Sequence, residues 1–287
     1  MAKPAAKTTV APVKEAPLVA SNDAPDYLKN YKGPKTNTTM ETEDLIIPRI
    51  KLLQGISPEV TAYESARAGM FWHNVLNEPI GDDFRFIPVM SRKHYILFAP
   101  RGDVRSVLAR APDAKNWQPA NQTFEVKLKG VPKPIKWTTK DTVAQSRLAD
   151  FGSSNPDDPQ SPPAATLIYE FLAFLPDHPE FSPAIISLAR SGIKRGKNLN
   201  SSIELRATRV PQFAQLYRAT HTEEKGAEGP YLVWQFASDG VATEPDFNAA
   251  VALADRFKAT SFRAADEDLS EEAAPDTSDA GAGSKEY

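Results

Sequence analysis

Apolar positions along this chain fall into short runs with a period near two, separated by Gly, Pro and Asx turns. Arg49–Gly55 alternates briefly, and Ser57-Pro58-Glu59 turns the chain. Gly69–Trp72 starts a second extended piece, which ends in the turn-like stretch Asn77–Asp83. Phe84–Met90 and His94–Phe98 read as two paired strands broken at Ser91-Arg92-Lys93, with Pro88 marking an edge or a bulge. Arg101–Arg110 reads as a short helix or an ordered loop. Phe124–Leu128 alternates cleanly, and Pro134–Trp137 continues it beyond a turn at Gly130. Residues 152–163 are a loop by composition, and Ala164–Pro176 follows as a buried strand. Ala184–Leu188 is another strand, and Lys194–Ala207 fits a helix with Leu199, Ile203 and Leu205 near one face. Pro211–Ala219 and Gly229–Ala237 form a strand pair around the polar loop His221–Glu228. Thr243 caps a last helix to about Lys258, whose stripe is Phe247, Ala250, Val251, Ala254 and Phe257.

Many short strands, few helices and no βαβ rhythm predict a mainly β fold, a curled sheet or barrel with a C-terminal helix. Residues 1–42, rich in Ala, Pro, Lys and Thr, read as a disordered basic arm. Residues 43–263 form the single folded domain, and residues 264–287 a disordered acidic tail.

Composition removes several function classes. The 287 residues include no cysteine, which excludes disulfides, thiolate metal sites and cysteine nucleophiles. Gly192–Lys197 lacks the spacing of a phosphate loop, and no Gly-x-Ser-x-Gly elbow occurs. His73 and His94 would meet only if their strands pair, with Asp82 or Asp83 beside them, and ordinary strand roles account for them better. No catalytic residue, metal or cofactor is therefore assigned, and the chain is expected not to be an enzyme. The longest apolar run, Ala164–Pro176, is too short to span a membrane and contains Glu170. A signal peptide is not indicated, so a soluble cytoplasmic protein is expected.

Charge then changes the picture. The formal net charge is −3, yet Ala264–Tyr287 holds eight acidic residues against Lys285 alone. Arg85–Asp150 carries 13 basic and five acidic residues, and Arg190–Arg218 seven and one. The basic stretches are interleaved with aromatics, the combination that tracks phosphates and stacks on unpaired bases. The nucleic-acid candidates are Arg85, Arg92, Lys93 and Tyr95; Lys127, Lys129, Lys133, Lys136 and Trp137; Lys194, Arg195 and Lys197; and Arg206, Arg209, Tyr217, Arg218, Tyr231 and Trp234. Trp137 and Tyr231 are the preferred exposed stacking faces. Lys194, Arg195 and Lys197 oppose the dipole at a helix start, which suggests that they face an external anion.

The tail Asp266, Glu267, Asp268, Glu271, Glu272, Asp276, Asp279, Glu286 and Tyr287 ends an acidic segment on an aromatic residue. In this the chain resembles the single-stranded DNA-binding replication proteins of tailed phages and bacteria. Pro48–Gly55 with Ser57–Val60, and Phe213–Phe236, also resemble stretches of phage-encoded proteins. The resemblance implies an OB-like barrel with insertions, sequence-independent coating of single-stranded DNA in phage or bacterial replication or recombination, and a tail that recruits replication or recombination proteins. A homodimer is compatible with it, a membrane is not, and the host cytoplasm would be the location. Two alternatives stand beside it: a phage virion or assembly structural protein, and a metal-dependent nuclease.

Overall fold

The structure is a computed structural model that describes residues 46–100, 103, 105–128, 130–226 and 229–258. The expected arm, residues 1–42, the expected tail, residues 264–287, and Lys129 lie outside the described residues, so the expectations placed on them have no structural counterpart here. The described residues fall within one compact unit, Glu41–Tyr287.

Eleven strands form in the described chain: β1 Arg49–Leu52, β2 Phe71–His73, β3 Glu78–Gly81, β4 Phe84–Phe98, β5 Val107–Ala111, β6 Thr123–Val126, β7 Ile135–Thr138, β8 Ala165–Phe174, β9 Ala184–Ala189, β10 Gln215–Gly226 and β11 Gly229–Val241. Nine belong to one sheet of order β11-β10-β4-β8-β9-β1-β2-β3, with β5 on the far end of β4. All pairings in it are antiparallel except β1 with β9. β6 and β7 form a separate hairpin. The α-helices among the described residues are α1 Pro58–Ala62, α2 Val143–Ser146, α3 Ile193–Ala207 and α4 Glu244–Phe257.

The sheet rolls into an open half-barrel. β2 and β11 stand six positions apart in the strand order, yet the rings of Phe71 and Trp234 are 4.7 Å apart. Strand alternation sends Phe84, Phe86, Phe171, Tyr217 and Trp234 to the concave face, where they form one core with Leu199 and Ile203 of α3. The other face collects Ile87, Ile96, Ile168, Leu172 and Ile185 under Ala250 and Phe257 of α4. A third cluster joins Leu97 and Ala165 to Trp117, Phe124 and Trp137 on the β6–β7 side. The curled sheet and the C-terminal helix match the sequence expectation. Nine strands, eight of them in one open path, are more than the five of an OB barrel.

Several local expectations are corrected. β4 does not break at Ser91-Arg92-Lys93; it runs through all three, and its two halves pair with β8 and with β10 or β5 instead of with each other. A charge inside a strand is tolerated because Arg92 lies opposite Glu170, and Arg92 Nε donates to its carboxylate at 2.7 Å. Pro88 sits at the register shift between Pro88 and Met90, as its missing N–H requires. Val107–Ala111 is a strand instead of a helix. The polar stretch after Ala219 is not loop: β10 continues to Gly226 as a ribbon with β11. α3 settles closely on β8 because Gly196 has no side chain; a Cβ there would meet Tyr169 Cβ at 3.1 Å.

One side chain finishes the curl at its open end. The Gln54 amide donates from Nε2 to the Leu232 carbonyl at 3.0 Å and accepts from the Leu232 N–H at 2.9 Å. It thereby pairs with β11 as a single strand residue would.

Candidate functional site

The residues nominated for nucleic-acid binding are placed in three ways. The aromatic ones have mostly entered the interior. Trp137 is fully buried, and its indole N–H donates to the Ser154 carbonyl at 3.2 Å, so the expectation of an exposed stacking face there is corrected. Tyr217 is buried and stacked on Phe86, and Trp234 is buried between Phe71 and Phe236. Burial raises the Tyr217 hydroxyl above the usual phenol range. Tyr95 is half-buried against the β6–β7 cluster. Tyr231, also half-buried, donates its hydroxyl to Glu224 at 3.2 Å. The reason is the alternation itself: a strand whose polar face is already solvated must send its aromatics inward.

Most of the arginines are neutralised. Arg85 grips Asp177 through both Nε and Nη2, which raises the guanidinium and holds the Asp177 carboxyl below the usual carboxylate range. Arg218 is raised by its contacts with Asp83 and Asp239. Arg195 reaches Glu224 at 2.7 Å. Arg206 lies over the Tyr217 ring and donates to the Gly240 carbonyl at 3.1 Å. Arg92 belongs to a polar row across β4, β8 and β9, in which Glu170 is fully buried and accepts from Arg92 and, at 3.5 Å, from Ser187. His94 Nδ1 is 3.8 Å from the same carboxylate.

A third group stays on the surface. Lys93, Lys127, Lys133, Lys194, Lys197 and Arg209 are exposed, and Lys136 makes a solvent-facing pair with Glu125 at 3.4 Å. Such exposed pairs contribute little to stability.

The two histidines weighed as metal ligands do not converge. His73 packs on Phe181, and its Nδ1 accepts the Leu76 N–H at 3.0 Å. Burial lowers His73 to about 4, so the ring is neutral near pH 7. Asp82 and Asp83 are engaged by Arg67 and Arg218. Among the described residues, no group of three or more His, Asp or Glu stands where it could hold a metal ion.

What the fold does assemble is a small, open cleft between α3 and β11. Arg195, Asn198 and Ser202 line it from the helix, and Gln235, Phe236 and Ser238 from the strand. Tyr217 closes the back, its hydroxyl 3.0 Å from Ser202 Oγ and donating to Gln215 Oε1 at 3.1 Å. Gln215 in turn donates to the Ile203 and Val210 carbonyls, which fixes the C-terminal half of α3 over β10. The neighbours Gln235 and Phe236 point to opposite faces of the strand and still both line the cleft, so it sits at the strand edge. Asn198, Gln235 and Ser238 carry no charge or motif, and nothing in the sequence pattern marked them.

A family model described as Pam3 phage gp34-like protein matches residues 15–263. Comparison with curated proteins and with solved structures finds no match.

Proposed function

The chain belongs to the Pam3 phage gp34-like protein family, and we propose that it is a non-catalytic phage structural or assembly protein that works by binding other polypeptides. One observation carries this reading: the aromatic faces that a single-strand coating protein would offer to bases are packed against one another in the concave core. Stacking on unpaired bases supplies about 1–3 kcal/mol per base, and a protein that has used those faces internally lacks that contribution. The arginine pairs point the same way, because a guanidinium already held by a carboxylate is a poor phosphate ligand.

Single-stranded DNA binding is the second reading, favoured by the exposed Lys93, Lys127, Lys133, Lys194, Lys197 and Arg209. It would draw replication or recombination partners through the acidic segment. The metal-dependent nuclease has no ligand cluster among the described residues to rest on.

Two measurements separate the readings. The first is anisotropy of a labelled oligo-dT and of a duplex of equal charge, titrated with the full chain at two salt concentrations. The second is mass spectrometry of purified particles and assembly intermediates from producing cells. The assembly reading expects weak binding that does not distinguish single from double strands, with the chain present in particles or intermediates. Strand-selective, tight, salt-steep binding together with absence from particles and intermediates would overturn it in favour of coating.

A further inference from the structure

β11 is an edge strand, and the Gln54 contact defines which way its backbone faces. Leu232 directs both its N–H and its C=O to Gln54, away from β10. Strand backbones alternate, so Trp234, Phe236 and Ser238 present their N–H and C=O groups on that same side. The register agrees: the partners of Phe236 and Ser238 on β10 are Ala219 and Tyr217, which are matched on their other side with Phe84 and Phe86 of β4. Among the described residues nothing pairs with the outward groups of Trp234, Phe236 or Ser238, while the Gly240 carbonyl beyond them accepts from Arg206. An open stretch of strand edge therefore lies between two side-chain caps.

The cleft runs beside this edge. Asn198, Gln235 and Ser238 offer hydrogen-bonding side chains that make no hydrogen bond among the described residues. Along α3 and just past it Lys194, Lys197 and Arg209 are exposed, against Glu204 alone on the helix, while Arg195 is paired with Glu224 and Arg206 donates to the Gly240 carbonyl. A backbone-pairing edge beside neutral polar side chains and under a cationic helix suits one kind of occupant.

We propose that an extended acidic segment of a partner protein adds to β11 as a further strand and places a carboxylate in the cleft, between Asn198 and Ser238. The inference rests on the assembly reading and specifies its docking surface. A second copy of β11 is disfavoured by charge. It would bring a second cationic α3 against the first, and the acid within β11, Asp239, is already held by Arg218. Nucleic acid has no backbone that alternates donor and acceptor at strand spacing, so it cannot use the edge.

The test is anisotropy of a fluorescein-labelled peptide, Thr-Val-Glu-Val-Thr-Glu-Thr, titrated with the full chain. Three comparisons accompany it: the same peptide with Lys for Glu, the same peptide N-methylated at alternate residues, and the chain variants Ser238→Glu and Asn198→Glu. Both substituted side chains are exposed, and circular dichroism checks that each variant melts as the parent does. The expected result is saturable binding of the acidic peptide, weakened roughly tenfold or more by each change, the scale of one lost charge-assisted hydrogen bond. Equal binding by the Lys peptide, equal binding by the N-methylated peptide, unaltered binding by both variants, or no saturable binding overturns the proposal. If the peptides fail while the chain is found in particles, the docking surface is wrong and the assembly reading stands. If the acidic peptide binds as expected but the chain is absent from particles and intermediates, the docking surface stands and the assembly reading fails.

Discussion

Acidification to pH 4.5 should destabilise this protein through His73 by roughly 2–3 kcal/mol, and the figure follows from where the ring sits. Burial lowers His73 to about 4, against 6.5 when solvated, and its Nδ1 lone pair is occupied by the Leu76 N–H. At pH 7 the ring is neutral in both the folded and the unfolded chain, and its full contribution to stability is present. As the pH falls below 6.5 only the unfolded chain takes up the proton, so the contribution is lost progressively. The loss levels off below about pH 4, at roughly 3 kcal/mol. The assay is urea unfolding of the parent and of His73→Asn at pH 7 and pH 4.5. Asparagine keeps an acceptor within reach of Leu76 but cannot be protonated in this range. The variant should start less stable, because a ring packed on Phe181 is removed, yet lose roughly 2–3 kcal/mol less than the parent on acidification. An equal loss in parent and variant would refute the account and assign the acid sensitivity to other groups.

Three further outcomes are expected. All four tryptophans, at 72, 117, 137 and 234, are buried, so emission should be blue-shifted, resist iodide quenching and show no direct quenching by added oligonucleotide; strong quenching by oligo-dT would put a tryptophan at a nucleic-acid surface. Arg92→Met should destabilise the fold by roughly 3–5 kcal/mol, and the double variant Arg92→Met with Glu170→Leu by less, because the second change removes the buried carboxylate that the first leaves poorly compensated; denaturant titration reads the difference. Gln54→Ala should cost about 1–2 kcal/mol and speed hydrogen exchange at the Leu232 amide, while Gln54→Glu, which keeps the acceptor, should protect that amide better than alanine does.

Individual residues decide how much of this was legible beforehand. The apolar stripe Phe247, Ala250, Val251, Ala254 and Phe257 places α4, whose Ala250, Ala254 and Phe257 pack on one face of the sheet, and the unbroken run around Ile168–Phe174 places β8, which is packed on both faces. The sequence pattern divides β4 in two because Arg92 reads as a breaker until Glu170, far along the chain, supplies its partner. The aromatics were ambiguous for a related reason. Trp137 between Lys136 and Thr138 looks exposed, but in a strand its neighbours say only that they point the other way. The cleft was not legible at all. It arises where α3 meets the edge of β11, and Asn198, Gln235 and Ser238 become a site only through that packing.

The way β1 enters the sheet bears on how the chain is made. Arg49 and Ile50 lie in parallel register with Ile185 and Ile186, and the opening of β4 at Phe84–Phe86 waits for Tyr217–Ala219. A ribosome therefore releases the first strands long before their neighbours exist, and the aromatic interior cannot close until β11 has emerged. Contacts this distant in sequence make for slow folding. Synthesis stopped before Val241 should yield sticky fragments instead of a smaller working domain, so timely completion of the chain is itself a condition for its solubility.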